Sequence, residues 1–144
     1  MRKRIGQLLY ITNQQQSTLV MYTDGEEDVM MVPLAKAMKQ LCLQHGSSLE
    51  GRAESFRYLT KSIQKPCILL DEKEEVLLFP LLGLASLDNY FINYNKVVTC
   101  KGVGNHECEI LFSDGTKLVI PFDVRVIRNQ MKRCELYLEK LLEH

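Results

Sequence analysis

Apolar positions along the chain follow two periods, one typical of strands and one typical of helices. Segments 8–12 and 18–23 are rich in β-branched and aromatic residues and flank a polar turn, so they predict two strands. An acidic turn at 24–28 leads into a further apolar segment at 29–32. Pro33 suits a first helical turn, and apolar residues then recur at helical spacing up to a stop at Gly46: Leu34, Met38, Leu41 and Cys42. This part of the chain predicts a β-hairpin unit followed by an amphipathic helix.

A second helix is predicted after Gly46, in the stretch GSSLEGRAESFRYLTKSIQK. Ser47 to Glu50 form a candidate capping box, in which the Ser47 hydroxyl and the Glu50 carboxylate close the helix start reciprocally. Gly51 counts against this helix, because glycine inside a helix costs about 1 kcal/mol relative to alanine. The predicted inner stripe is Leu49, Ala53, Phe56, Leu59 or Thr60, and Ile63, which leaves Glu54, Arg57 and Lys61 on the outer face.

The second half of the chain predicts more strands and a terminal helix. Segments 67–71 and 75–82 are typical of buried strands, and 90–99 of a strand with aromatic and asparagine side chains. Segments 107–112 and 117–120 predict a hairpin, because Asp114-Gly115 between them favours a tight primed turn. A helix beginning at Phe122 or Asp123 carries an apolar stripe of Val124, Ile127, Met131, Cys134, Leu138 and Leu141. The predicted class is α+β, mainly antiparallel sheet with two or three helices, including this C-terminal amphipathic helix.

Length and composition predict one cytoplasmic domain spanning residues 1–144, without a membrane span. Hydrophobic residues make up 46% and charged residues 25%, and 18 basic residues balance 18 acidic ones. Net charge therefore gives no indication of a polyanionic partner. Five cysteines without a C-x-x-C motif fit a reducing cytosol, and the apolar run after the basic N-terminus is too short for a signal peptide. The closing Leu-Glu-His at 142–144 is typical of a purification-tag remnant.

Residues for catalysis or metal binding are sparse. Cys100, His106 and Cys108 form the tightest group of soft ligands, but a zinc site needs a fourth ligand or water, and no convincing fourth residue is visible. No G-x-S-x-G motif is present, and Gly46 and Gly51 have phosphate-loop spacing without the lysine that should follow. We therefore predict a protein that is not an enzyme, with no catalytic residues, metal or other cofactor. A metal or thiol enzyme built on the Cys100–Cys108 segment stays as an alternative.

Basic residues near the second helix are candidates for phosphate contacts. Arg52, Arg57, Lys61 and Lys65 fall within fourteen residues. Ser47 and Ser48 precede them, and hydroxyls, backbone N–H groups at a helix start and basic side chains are usual partners of phosphate oxygens. A second basic row follows on the terminal helix, formed by Arg125, Arg128 and Lys132. An equally simple interpretation is a solvated helix face on which Glu54 pairs with Arg57.

From Gly46 to about Gln130 the chain resembles the bacterial competence transcription factor family, ComK. The resemblance rests on short motifs that occur in the same order along the chain as in the family. They are Gly46-Ser47-Ser48, Gly51-Arg52, Thr60-Lys61, Lys65-Pro66, Asp71, Leu78-Phe79-Pro80, Phe112-Ser113-Asp114-Gly115 and Asn129-Gln130. The first 45 residues match the family only in general character. Long members continue with a basic and polar C-terminal region beyond Asn129-Gln130.

The resemblance implies a transcriptional activator that recognises paired A/T-rich boxes of double-stranded DNA, chiefly through the minor groove. It also implies a homo-oligomer and capture by an adaptor that delivers the protein to a protease. In this mode Arg52 anchors a phosphate or enters the groove, with Gly51 allowing close approach, and Asn93 and Asn95 supply base-edge contacts. In the competing interpretation the two asparagines are ordinary polar residues on the solvent side of a strand. As a structural residue, Arg52 would pair with an acid such as Glu50.

A different class of function remains open from the sequence. The chain could be a protein-interaction module that pairs with a full-length factor or with its proteolytic adaptor and does not bind DNA. Its distinguishing feature would be the terminal helix, whose apolar stripe would then face a partner instead of the core.

Overall fold

A six-stranded antiparallel sheet organises the fold. In the computed structural model, which describes residues 5–143, its strands are β1 (Leu8–Gln14), β2 (Ser17–Tyr22), β3 (Glu27–Met30), β4 (Ile68–Asp71), β5 (Val76–Pro80) and β6 (Tyr90–Asn93). They lie in the order β3-β2-β1-β6-β5-β4, so β1 and β6 meet at the centre across a long sequence separation, with Tyr10 opposite Ile92.

Both faces of this sheet are covered, which explains the continuous apolar runs of β4 and β5. Ile68 and Leu78 point to one hydrophobic cluster, whereas Leu69, Leu77 and Phe79 point to the other, as alternating strand side chains must. A sheet covered on both faces needs apolar residues at successive positions rather than at every second one. The buried strands predicted at 67–71 and 75–82 are therefore confirmed.

Two helices cover the first face of the sheet. The structure places α1 at Leu34–Gln44 and α2 at Leu49–Thr60. Leu34, Met38, Leu41 and Cys42 of α1 are buried, as their spacing predicted. In α2 the stripe of Leu49, Ala53 and Phe56 is also buried. Leu59 packs on the core partly buried, so the stripe continues to the last turn of α2. The prediction of Ile63 is wrong, because α2 stops at Thr60 and Ile63 is 75% exposed beyond it.

A second sheet and the last helix cover the other face. The small sheet contains β7 (Val97–Gly102), β8 (Cys108–Phe112) and β9 (Lys117–Ile120), all antiparallel, and is followed by α3 (Val124–Leu142). Asp123 caps α3 by accepting a hydrogen bond from the Arg125 backbone N–H at 2.9 Å. The α+β class and the C-terminal amphipathic helix are confirmed.

The strand predicted over 90–99 is wrong as one element. A short 3-10 turn at Tyr94–Lys96 divides it into β6 and β7, which belong to different sheets. The Asn93 side-chain oxygen accepts a hydrogen bond from the Asn95 backbone N–H at 3.3 Å and so favours a turn over a continued strand. The alternation of aromatic and polar residues concealed this break.

The predicted hairpin at 107–120 is confirmed, but its turn is not a primed one. Gly115 has a φ of 91°, whereas Asp114 keeps a negative φ, and a primed turn of type I′ needs positive φ at both positions. Phe112 donates its N–H to the Thr116 carbonyl at 2.9 Å and accepts from the Gly115 N–H at 3.0 Å. The connection is therefore a three-residue loop closed by a left-handed glycine.

Candidate nucleic-acid interface

The segment between α2 and β4 carries two of the predicted basic residues in an unusual backbone conformation. Lys61 ends α2 with a φ of 60° and Lys65 has a φ of 48°, both in the left-handed region. A residue with a side chain costs about 1–3 kcal/mol in sparsely populated regions of this kind. Surrounding contacts must therefore hold the loop in this shape.

Arg133, on the flank of α3 that faces α2, supplies most of these contacts. Its Nη2 donates to the Ser62 hydroxyl at 2.6 Å and to the Gln64 carbonyl, and its Nη1 donates to the Lys65 carbonyl at 3.2 Å. The guanidinium also lies 5.1 Å from the centre of the Phe56 ring, within the range of a cation–π contact.

Gln130 fastens the same loop from inside the protein. Its buried side chain donates from Nε2 to the Lys65 carbonyl at 3.1 Å and to the Pro80 carbonyl at 2.6 Å, and it accepts from Arg133. No role for Arg133 was predicted from the sequence. Two sequence features could have indicated this contact: the pair Lys65-Pro66, and Gln130 followed about one helical turn later by an arginine.

Five of the predicted cations form no ion pair with a carboxylate of residues 5–143: Arg57, Lys61, Lys65, Arg128 and Lys132. We call the last four the basic face. Lys61 Nζ lies 4.9 Å from the Tyr58 ring centre, and Arg128 Nη2 reaches the Cys100 carbonyl at 3.5 Å. Lys65 is bonded through its carbonyl to Gln130 and Arg133, in the α3 turn that also carries Lys132. Arg128 contacts β7 instead, and helical geometry puts it about 140° around α3 from Arg133.

The N-terminal end of α2 is arranged differently from the prediction. Ser48, and not Ser47, is the N-cap, because its Oγ accepts from the Gly51 N–H at 2.9 Å. Ser47 instead donates to the Cys42 carbonyl at 3.2 Å, so the capping box of Ser47 with Glu50 is wrong. A Cβ on Gly51 would lie 2.8 Å from Ser48 Oγ. The close approach of the cap therefore accounts for a glycine at this position without any contact to DNA.

Arg52 pairs with an acid from a distant turn. Its Nη1 donates to Glu72 Oε1 at 3.2 Å, whereas the expected partner Glu50 pairs with Lys39. The Arg52 side chain is only 20% exposed, and its Nε is buried with no hydrogen-bond partner in the described part of the chain. Arg52 thus lies beside the acidic β4–β5 turn.

The remaining predicted residues divide between bonded and exposed positions. Arg57 donates from Nε to the Ile63 carbonyl at 2.9 Å rather than pairing with Glu54, and helical geometry puts it about 140° around α2 from Arg52. Arg125 is 81% exposed but forms a two-pronged ion pair with Asp123 at 2.9 and 3.0 Å. Hydrogen bonds from Arg125 lower the pKa of Asp123 from 3.8 to about 2, so this carboxylate stays charged at neutral pH.

The two asparagines do not form a pair of surface contacts. Asn93 is 1% exposed, and its amide donates to the Leu8 carbonyl at 2.8 Å, joining β6 to β1. Its prediction as a base-edge contact is therefore wrong, because a side chain inside the sheet cannot reach a groove. Asn95 is exposed and donates to the Glu75 carbonyl, so a contact from this residue stays a prediction.

The cysteine and histidine residues of the small sheet lack the features of a reactive site. Burial raises the pKa of Cys108 from 9.0 to about 11, which leaves a protonated, poorly nucleophilic thiol. Within residues 5–143, no three histidine, cysteine or acidic side chains are placed to hold a metal ion. Over the same range, every helix is too short or too polar to cross a membrane.

The α3 stripe packs against the core. Ile127, Cys134 and Tyr137 are fully buried in the cluster between the two sheets, and Val124, Met131, Leu138 and Leu141 pack on it partly buried. The apolar face that would have distinguished an interaction module is therefore already occupied within this chain.

Comparison with known proteins agrees with the resemblance and extends it. The family model described as ComK protein matches residues 8–144, so the first strands belong to the match as well. A protein of Bacillus subtilis (strain 168) named competence transcription factor is 30% identical over 105 residues, which cover 73% of this chain and 54% of that protein. The chain thus spans about half the length of this curated relative, and no solved structure matches it. By its family match, the chain belongs to the ComK family.

Proposed function

We propose that this chain is a DNA-binding transcriptional regulator of the competence type. The observation that carries the proposal is the basic face, whose four cations form no ion pair with a carboxylate of residues 5–143, in a member of the ComK family. Uncompensated lysine and arginine side chains release counterions when they meet phosphates, and this release supplies much of DNA affinity.

The preferred ligand in this proposal is a duplex with two A/T-rich boxes read through the minor groove. A narrow A/T minor groove has a strongly negative potential and requires few base-edge contacts, so a surface rich in cations and poor in amides suits it. Asn93 lies inside the sheet, which leaves cations as the main candidates for contact. Two boxes fit a homodimer, because paired half-sites match a two-fold protein.

The cellular context of the proposal follows the family. It places the protein in the cytoplasm, with a protease adaptor as a protein partner and without catalytic activity. Sizing chromatography with light scattering, with and without a two-box duplex, tests the dimer. A monomer both free and bound to DNA would contradict it.

Fluorescence anisotropy with matched duplexes tests the DNA proposal directly. One duplex carries two A/T-rich boxes, the second has both boxes replaced by G·C pairs at the same length, and each is titrated over a salt series. We expect tighter binding to the A/T duplex and an affinity that falls steeply with salt. Equal affinity for both duplexes contradicts sequence preference, and no binding at low salt contradicts DNA binding altogether.

A further inference from the structure

The loop that carries Lys61 and Lys65 has little of its own to hold it in place. Both lysines have left-handed backbones, and Ile63 between them is 75% exposed, so no apolar side chain anchors the centre of the loop. Local support consists of three hydrogen bonds: the Lys61 N–H donates to the Arg57 carbonyl at 3.0 Å, the Ser62 N–H donates to Thr60 Oγ1 at 3.3 Å, and Arg57 donates to the Ile63 carbonyl. The conformation therefore depends on contacts from α3.

Arg133 provides these contacts with nearly all of its donors. Its two terminal nitrogens engage four acceptors: Ser62 Oγ, the Gln64 carbonyl, the Lys65 carbonyl and Gln130 Oε1. A guanidinium has five N–H donors, so only the Nε–H remains for any other partner. A two-pronged contact to a phosphate would need to break this arrangement, which argues against Arg133 as a direct DNA contact.

We propose that Arg133 is a positioning residue that orders the Lys61–Lys65 loop so that both lysines can contact phosphates. The inference rests on the proposed DNA-binding function. Arg133 lies beneath the loop and acts through it, because its planar fork spans three acceptors of the loop at once. Lysine keeps the positive charge but has one compact ammonium group in place of the fork, so it cannot hold the same acceptors together.

The decisive variant is Arg133→Lys, studied in the full chain after a thermal melt has confirmed that it folds. Amide hydrogen exchange of residues 61–65 without DNA should accelerate. Affinity for the two-box duplex should fall at least about threefold, and the salt slope should become shallower by up to about two, although net charge is unchanged.

The matched control is the neighbouring Lys132→Ala, which should lower the slope by about one and leave loop exchange unchanged. Ser62→Ala, which removes one acceptor in the loop, should cause a smaller change in the same direction as Arg133→Lys.

Coupling to the two lysines separates positioning from a general structural effect. In a Lys61→Ala/Lys65→Ala background, Arg133→Lys should have no further effect on affinity. An equal loss in both backgrounds, or wild-type affinity in a variant whose loop exchanges faster, overturns the inference. Absence of DNA binding by the wild-type protein contradicts the proposed function instead, and the exchange data then still report whether Arg133 orders the loop.

Discussion

The two ends of helix α2 carry similar residues and have different surroundings. At the N-terminal end, Ser48 caps the helix, Ser47 bonds to α1, and Arg52 pairs with Glu72. At the C-terminal end, Lys61 and Lys65 have no carboxylate partner among the described residues. One end is electrostatically satisfied from within the chain, and the other is available to an outside anion.

The difference shows that local sequence does not determine whether a cation is available. A helix start attracts anions through its free N–H groups and its dipole, which favoured the Ser47–Arg52 end. That advantage is offset by three groups of the chain itself: the Ser48 cap, Glu50 in the first turn of α2, and Glu72 in the β4–β5 turn. At the other end the backbone geometry is less favourable, but no carboxylate of residues 5–143 pairs with Lys61 or Lys65. Counter-charge supplied by distant segments thus decides which of these cations are paired within the chain.

Removing the basic face should have the largest effect on DNA binding. The variant Lys61→Ala/Lys65→Ala/Arg128→Ala/Lys132→Ala should lower the slope of log affinity against log salt by about 3 to 4, since each phosphate contact contributes about 0.9. Anisotropy titrations at several salt concentrations measure this slope.

A control of equal net charge makes that experiment specific. Alanine at Lys36, Lys39, Lys73 and Lys117 removes four cations from α1, the β4–β5 turn and β9, away from the basic face. It should leave the slope nearly unchanged. Similar losses in both variants would mean that DNA responds to total charge and not to this surface.

Substitutions at the N-terminal end of α2 should lower the free energy of unfolding and leave DNA affinity unchanged. Ser48→Ala should lower the free energy of unfolding by about 1 kcal/mol, because an N–H of the first turn loses its acceptor. Ser47→Ala should cost less, since that hydroxyl only donates to the Cys42 carbonyl in the last turn of α1. Urea denaturation compares the two, and an equal or reversed order would contradict Ser48 as the cap.

Arg52 gives the most direct test of the contrast between the two ends. Arg52→Ala should change the free energy of unfolding by no more than about 1 kcal/mol, because its partner Glu72 is largely exposed. On the proposed surface it should leave the salt slope unchanged. A slope lower by about one with an intact fold would restore Arg52 as a phosphate contact and extend the interface to both ends of α2.

Arg125 is the paired cation nearest to the basic face, and releasing it should have the smallest effect. Asp123→Asn keeps an N-cap side chain and removes the charge that holds Arg125, so the salt slope should rise by up to about one.

A lower pKa in the folded state means that the stabilising effect of Asp123 is complete above its ordinary pKa of 3.8 and is lost as pH falls through about 2. Urea denaturation at pH 4 and at pH 2 should show a larger fall in the free energy of unfolding for the wild type than for Asp123→Asn.

Periodicity was sufficient to predict most elements of this fold. The helices α1 and α3, the hairpin of β8 and β9 and the buried strands β4 and β5 all follow from spacing and turn residues. Spacing could not show that β6 and β7 enter different sheets, because the turn between them is favoured by a hydrogen bond that the Asn93 side chain accepts from the Asn95 N–H. It also could not separate Ser47 from Ser48, because either serine is a good cap and one helical position distinguishes them.

The candidate site was less accessible from sequence. The pairing of Arg52 with Glu72 spans 20 residues, and the bond from Arg133 to Ser62 spans 71. Such pairs depend on how β4 and α3 pack, and no local pattern encodes that arrangement. A cluster of cations could be seen in the sequence, whereas the acids beside some of them could not.

The separation between Arg133 and its loop also sets the order in which the surface can form during synthesis. Lys61 and Lys65 leave the ribosome well before the α3 turn that fastens them. At about 5–20 residues per second, the interval for 71 residues is about 4 to 14 s. The central pairing of β1 with β6 likewise waits for residues beyond 90. A nascent chain therefore carries Lys61 and Lys65 on a loop without its Arg133 contacts until α3 has left the ribosome.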